Sequence, residues 1–233
     1  MVLSMNNHCI VSFGKGFNFQ RGIERLKENI NQLVKIPFIS FTEYPENCPT
    51  HQEIPFGFKF YCIKECIKLG YNSILWLDSS VIIKTDLKDV FNKIDNQGYF
   101  FIKNWHNIGT YCHDKALKTL HISREESFHI PCVQGGNFGL NLQFDCSKRF
   151  IDNIMNYISD KITFPGPYTN ENNLASTDKR VAGHRHDQIA MSVVALRLGM
   201  NNWELSENKW FIHDWKFVKG ETLSTVPDVK MSE

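Results

Sequence analysis

The segment SILWLDSSVIIKTDL, from Ser73 to Leu87, carries an apolar strand into an acidic, hydroxyl-rich turn and out into a second apolar run. An aspartate at the C-terminal lip of a buried strand can offer its carboxylate to a metal ion or a phosphate-bearing ligand. Asp78 and Ser80 occupy alternating positions past that strand, so both can face one ligand. Magnesium and manganese favour hard oxygen donors, and diphosphate oxygens can complete their shell. The residues alone leave a second reading open, a turn in which Asp78 accepts from nearby backbone amides.

Two later segments hold further candidates. Asp187 and Gln188 open a helix whose apolar positions are Ile189, Val193 and Leu196. An aspartate there can cap the helix or complement its dipole. The preceding His184, Arg185 and His186 form a polar cluster that a cap does not require. His213, within WFIHDWK, reads either as a hydrogen-bonded core histidine or as a ligand. The loop after the first strand, Ser12 to Gly16, is a natural edge for a base and ribose, with Phe13 as core and Lys15 as surface the alternative. Its glycines form neither Gly-x-Gly-x-x-Gly nor a Walker pattern, which disfavours a dehydrogenase or a P-loop ATPase.

The elements that must position these residues follow from periodicity. The chain of 233 residues, 42% hydrophobic and 22% charged, is expected to form one domain over 1–233, with a nucleotide-binding half over about 1–103, a catalytic half over about 104–220 and a polar tail at 221–233. Strands are expected at Ile10–Phe13, Phe38–Phe41, Ile74–Leu77, Val81–Ile83, Tyr99–Ile102 and Phe138–Leu142. Helical spacing runs over Ile23–Val34, Phe58–Leu69 with Gly70 as its stop, a segment capped by Asp86, then Lys148–Ile158 and Gln188–Leu198 closed by Gly199. Thr163–Gly183 reads as a long surface loop. This alternation predicts an α/β fold, a Rossmann-like mixed sheet flanked by helices.

A net charge of +1 supplies no broad field for nucleic acid or an anionic membrane. Seven cysteines without secreted-domain spacing, and no signal-like apolar start or membrane-length run, predict reduced thiols in the cytoplasm, with at most a peripheral membrane association. Cys62 and Cys66 lie a helical turn apart and read as core.

LWLDSSVIIKTDL resembles the aspartate-motif region of GT-A glycosyltransferases, where a βαβ half-sheet leads to an Asp-x-Asp or variant turn. Pro55-Phe56-Gly57-Phe58-Lys59 is similar to the family's proline and lysine segment. Gln134-Gly135-Gly136-Asn137-Phe138-Gly139 resembles the small-residue strand that borders the donor sugar. Gly183 to Gln188 resembles the acidic or amide motif near the sugar's reactive carbon in retaining galactosyl- and glucosyltransferase types, and His213 the late histidine of their metal site.

The resemblance implies transfer of a sugar from a nucleotide-diphosphate donor, foremost a UDP-sugar, to a glycan or other hydroxyl acceptor in surface glycan synthesis. It implies manganese or magnesium at Asp78, Ser80 and His213. It places Ser12, Phe13, Lys15, Lys59, Asp78, Ser79, Ser80, Gly136, Asn137 and Lys216 against the donor, and Asp187 or Gln188 at the anomeric carbon. An inverting enzyme would instead use Asp187 or a nearby histidine as base. Ser80 replaces the family's second carboxylate and binds a cation less strongly, so metal dependence stays open, and Lys59 and Lys216 could share the charge. On helical spacing alone Lys59 is an exposed lysine. A nucleotidyltransferase of related fold and a non-catalytic carbohydrate-binding protein are the alternatives.

Overall fold

The structure, a computed structural model, describes residues 7–206, 209–214 and 216, so the expected polar tail at 221–233 lies outside the described residues. In chain order the elements begin β1 (His8–Phe13), α1 (Phe17–Leu33), β2 (Phe38–Phe41), α2 (Phe58–Lys68), β3 (Ser73–Leu77), β4 (Val81–Ile83) and α3 (Lys88–Gln97). Two short strands, β5 (Tyr99–Phe100) and β6 (Lys103–Asn107), precede two short helices, α4 (Asp114–Thr119) and α5 (Arg124–Ser127). Then come β7 (Pro131–Val133), β8 (Asn137–Asn141), α6 (Asp145–Ser159), α7 (His186–Arg197) and β9 (Phe211–His213).

The main sheet has the order β2-β1-β3-β8-β5. β1 pairs in parallel with β2 and β3, while β8 runs antiparallel to β3 and β5, giving the mixed sheet expected from the alternation. Every residue of β3 is buried because helices cover both faces. Side chains alternate across the sheet. Val11, Phe13, Ile74 and Trp76 join Phe60, Phe138, Phe150 and Met191 in one core, whereas Ile10, Leu75 and Leu77 join Leu26, Ile30, Val90 and Ile94 in the other. Cys62 and Cys66 are fully buried in the first, and all seven cysteines are free thiols. Among the described residues no helix is long and apolar enough to cross a membrane.

Several expectations need correction. The strand expected over Tyr99–Ile102 stops at Phe100, because Phe101 accepts from Glu204 N and Ile102 accepts from Gln134 N instead of pairing with β8. Asp86 stands one residue before the cap position of α3, taken by Leu87, although its carboxylate still accepts from Lys88 N at 3.0 Å. The run from Ile189 to Ala195 in α7 is wholly buried, so this helix is no amphipathic surface element. The segment 163–183 is irregular but packed down: Thr163, Phe164 and Val181 are buried, and the Asn170 amide ties Ala175, Ser176 and Val181 together.

Candidate active site

Strand register builds the site. Leu77 is paired with Asn137, and the ladder runs one step further as Asp78 N donates to Gly136 O at 2.8 Å. Val81 N then donates to Asp78 O at 2.9 Å, closing the turn that holds Ser79 and Ser80. β4 leaves this turn and pairs with β9, setting Val81 opposite His213. A buried ion pair secures the return strand. Arg25 from α1 meets Asp214 at 2.8 Å and donates to Ser80 O at 3.1 Å, while Asp214 N donates to the same carbonyl at 2.9 Å. His213 is thereby fixed against the Asp78 turn.

The three expected metal residues do meet. Asp78 Oδ1 accepts from Trp76 Nε1 at 2.7 Å and lies 3.1 Å from Lys59 Nζ. A Cβ added to Gly136 would stand 3.3 Å from Asp78 Oδ2, 3.2 Å from His213 Nε2 and 2.5 Å from His213 Cε1, so the glycine keeps open a cradle between carboxylate and imidazole. Ser80 Oγ is 3.2 Å from His213 Nδ1, and Asn137 Nδ2 is 3.4 Å from Nε2. Ser80 at one ring nitrogen and Asn137 at the other thus orient the imidazole. Among the described residues no cluster of three His, Cys, Asp or Glu side chains is placed to hold a metal. One carboxylate and one imidazole are donors that suit a divalent cation with most of its coordination supplied from elsewhere.

Lys59 is neither an exposed lysine nor a free phosphate contact. It is 1% exposed, and its ammonium reaches Gly135 O at 2.6 Å, Asp187 Oδ2 at 2.9 Å and Asp78 Oδ1 at 3.1 Å. Those three partners match its three protons. Burial acts to lower its pKa, but Asp187 and Asp78 outweigh that and raise it, so the ammonium stays charged. Burial pushes the Asp187 carboxyl up, an effect Lys59 opposes. Gly135 is constrained as well, since a Cβ there would stand 2.5 Å from Asp187 Oδ2. Lys59 thus joins the end of β3 to the start of α7. Gln188 Oε1 accepts from Asn104 Nδ2 of β6 at 3.0 Å, tying a third element to this point.

Two cavities meet at Asp78 and Phe56. One, of about 350 Å³, is an aromatic slot between Phe13, Tyr44, His51 and Phe58, with Ser79 and Ser80 on its wall. Phe13 packs on Phe58 and Tyr44 with ring centroids 4.5 and 5.1 Å away. Lys15 borders the slot, pairs with Glu43 and lies over the Tyr44 ring. The second, of about 560 Å³, is polar and lined by Asn104, Gly136, Arg185, Asp187 and Gln188, with Trp105 at its side. Ser12 departs from expectation: it is fully buried in β1 and is not among the residues lining the slot. Lys216 is exposed beyond β9, where its backbone N–H donates to Asp214 Oδ1 at 3.1 Å.

No protein-family model matches this chain, and no curated protein matches it. Solved structures do. Apo mouse xyloside xylosyltransferase 1 is similar with a TM-score of 0.50 at 12% identity, over 87% of this chain and 86% of that one. The chain has a GT-A glycosyltransferase fold. The apo WbbM bifunctional glycosyltransferase is similar with a TM-score of 0.50 at 11% identity, over 90% of this chain and 40% of WbbM, so this chain spans less than half of that protein.

Within this GT-A fold, strain and neutral histidines border the site. His186 and Phe56 both hold positive φ, 41° and 63°, and their rings are 5.6 Å apart. Such backbone is costly for residues with a side chain and gathers at functional sites. His186 stacks edgewise on Tyr168 and His184, and His184 on His113. Burial pulls His186 down to about 4 and His184 well below the ordinary imidazole value. Their folded values lie below the unfolded one of about 6.5, so the unfolded chain takes protons first as acidity rises. Stability is therefore expected to be intact above about pH 6.5 and to fall toward pH 4, with His186 contributing on the order of 3 kcal/mol. Thermal midpoints across pH 4–8 would check this: His186→Asn, which tolerates positive φ, should flatten the profile, and an unchanged slope would refute the assignment.

The site also contains residues that carry no signal in the sequence. Arg25 and Asp214, Asn104 and Trp105 carried no local signal, being an ordinary helix arginine and members of polar or aromatic runs. Gly136, expected against the donor, lies between Asp78 and His213, where a side chain would meet both. Gly136→Ala is expected to drive a methyl into the His213 ring and to cost about 1–3 kcal/mol of stability. Thermal unfolding reads this directly, and a parental midpoint in the variant would show that the His213 ring is not held against this glycine.

Proposed function

We propose that this chain transfers a sugar from a nucleoside-diphosphate donor to an acceptor hydroxyl. The observation that carries this reading is the junction itself: two carboxylates, Asp78 and Asp187, held together by one buried ammonium where an aromatic slot opens into a polar cavity. A nucleobase suits the slot, where its faces can stack between Phe13, Tyr44 and Phe58. The diphosphate would then lie beside Asp78 and His213, and the sugar would reach Asp187 and Gln188. We assign the donor as a UDP-sugar and the pathway as glycan synthesis from the resemblance of the ordered motifs.

Breaking the glycosidic bond leaves positive charge on the sugar and negative charge on the diphosphate. Asp187, paired with Lys59 and nearly dehydrated, supplies a fixed negative charge beside the developing oxocarbenium ion. Gln188, pinned through Asn104, offers its amide to sugar hydroxyls without having to reorganise. Asp78 and His213 would hold a divalent cation, which would supply positive charge to offset that of the leaving diphosphate. Arg25 and Asp214 keep His213 in register with Asp78.

Incubating the purified chain with a panel of UDP- and GDP-sugars plus manganese, and following nucleoside diphosphate release, tests the reading. Slow release from at least one UDP-sugar in water, faster with a glycan acceptor, is expected. No release from any donor would contradict it.

A further inference from the structure

The polar cavity has one feature that donor chemistry does not use. Trp105, on β6 at the cavity wall, is 83% exposed, although an indole gains most from burial. Its setting is built. The indole meets His106 and Tyr111 edge-on, with centroids 5.0 and 6.0 Å away and interplanar angles of 85° and 84°. Its backbone N–H donates to Asn104 Oδ1 at 2.9 Å, and Asn104 Nδ2 in turn donates to Gln188 Oε1 at 3.0 Å. Arg185 lies over the Tyr111 ring at 4.2 Å, which keeps a guanidinium on the same side.

A held, wet aromatic face next to carboxamides and a guanidinium matches a ligand with one apolar face and a rim of hydroxyls. A pyranose has that form, its axial C–H bonds covering one face and its hydroxyls the edge. A bare serine or threonine hydroxyl on a peptide would leave the indole uncovered. We propose that Trp105 is the platform on which the acceptor sugar ring stacks, so that the acceptor is a saccharide whose hydroxyl points from Trp105 toward Gln188 and Asp187. This rests on the glycosyltransferase reading and adds the acceptor class to it.

The test uses the full chain with UDP and manganese, titrated with methyl pyranosides of glucose, galactose, mannose and xylose. The Trp105 indole N–H resonance, identified by its loss in Trp105→Phe, is the probe. At least one pyranoside is expected to shift it, with affinity about tenfold weaker in Trp105→Ala and nearer parental in Trp105→Phe, which keeps an aromatic face. UDP stabilisation, recorded on the same samples, separates the two claims. If UDP binds while no pyranoside moves Trp105, or if Trp105→Ala binds as the parent does, the platform is wrong and the transferase reading stands. Pyranoside binding without UDP binding would instead overturn the transferase reading and mark a carbohydrate-binding protein.

Discussion

Lys59→Met is expected to be among the most destabilising single substitutions in this protein. The side chain is dry, and its removal would leave Asp187 and Asp78 facing each other without the charge that holds them. Breaking a buried ion pair by deleting one partner costs about 3–5 kcal/mol, because the surviving charge stays buried and uncompensated. In a chain of this size that corresponds to a fall in thermal midpoint of roughly 10 °C. The origin of the loss can be separated from simple packing. In Lys59→Met combined with Asp187→Asn the more deeply buried of the two leftover charges is gone, so part of the midpoint should return. If the single variant melts within about 2 °C of the parent, the clamp is not what joins β3 to α7.

Asp78→Asn should behave in the opposite way, sparing the fold and removing the chemistry. An asparagine retains an oxygen for Trp76 Nε1 and for Lys59, so the turn keeps its hydrogen bonds. It loses the full negative charge at the oxygen facing the Gly136 cradle. Losing one preorganised charge at a leaving group typically costs about 10²–10³ in rate, and donor turnover in this variant should fall by that order. Steady-state release of nucleoside diphosphate, with the thermal midpoint as control, measures both effects. Parental turnover in Asp78→Asn would remove this carboxylate from the mechanism.

How much of this was legible in the sequence follows from the range of each signal. β1, β3 and β4 are readable because a buried strand is a nearly continuous apolar run bounded by turn residues, and the half-buried edge strand β2 because FISF is a short aromatic and β-branched run after Pro37. The Asp78 turn could be placed for the same reason, since it directly follows SILWL. β6 and β7 are not readable: KNWHN and PCV have neither the alternation nor the length of a strand, and they pair across an intervening helical segment where Ile108 and Cys132 join Ile189 and Val193 of α7 in one core. β9 was missed although His213 was singled out. Its three residues gain strand geometry from β4, far away in the chain.

Lys59 shows the limit most clearly. Helical spacing puts it on a surface, and nothing nearby announces the two carboxylates that make its burial tolerable. Those partners arrive with β3 and α7, so only the assembled fold reveals the charge pattern. The aromatic slot has the same origin. Phe58 reads as the apolar face of a helix and Phe13 as either donor edge or core, while Tyr44 carries no signal of its own; all three touch the core, yet together they also line an opening beside Asp78.

The proposed transfer requires that the Asp78 junction bind a nucleoside diphosphate with the help of a divalent cation. Thermal unfolding of the full chain with UDP, with and without manganese, tests it most directly, because a ligand that binds only the native state raises the midpoint by mass action. At UDP about a hundredfold above its dissociation constant the gain is about 2.7 kcal/mol, or roughly 5–10 °C here. A shift of that size is expected with manganese, a smaller one without it, and loss of the manganese-dependent part in Asp78→Asn. No shift with UDP under either condition would contradict it.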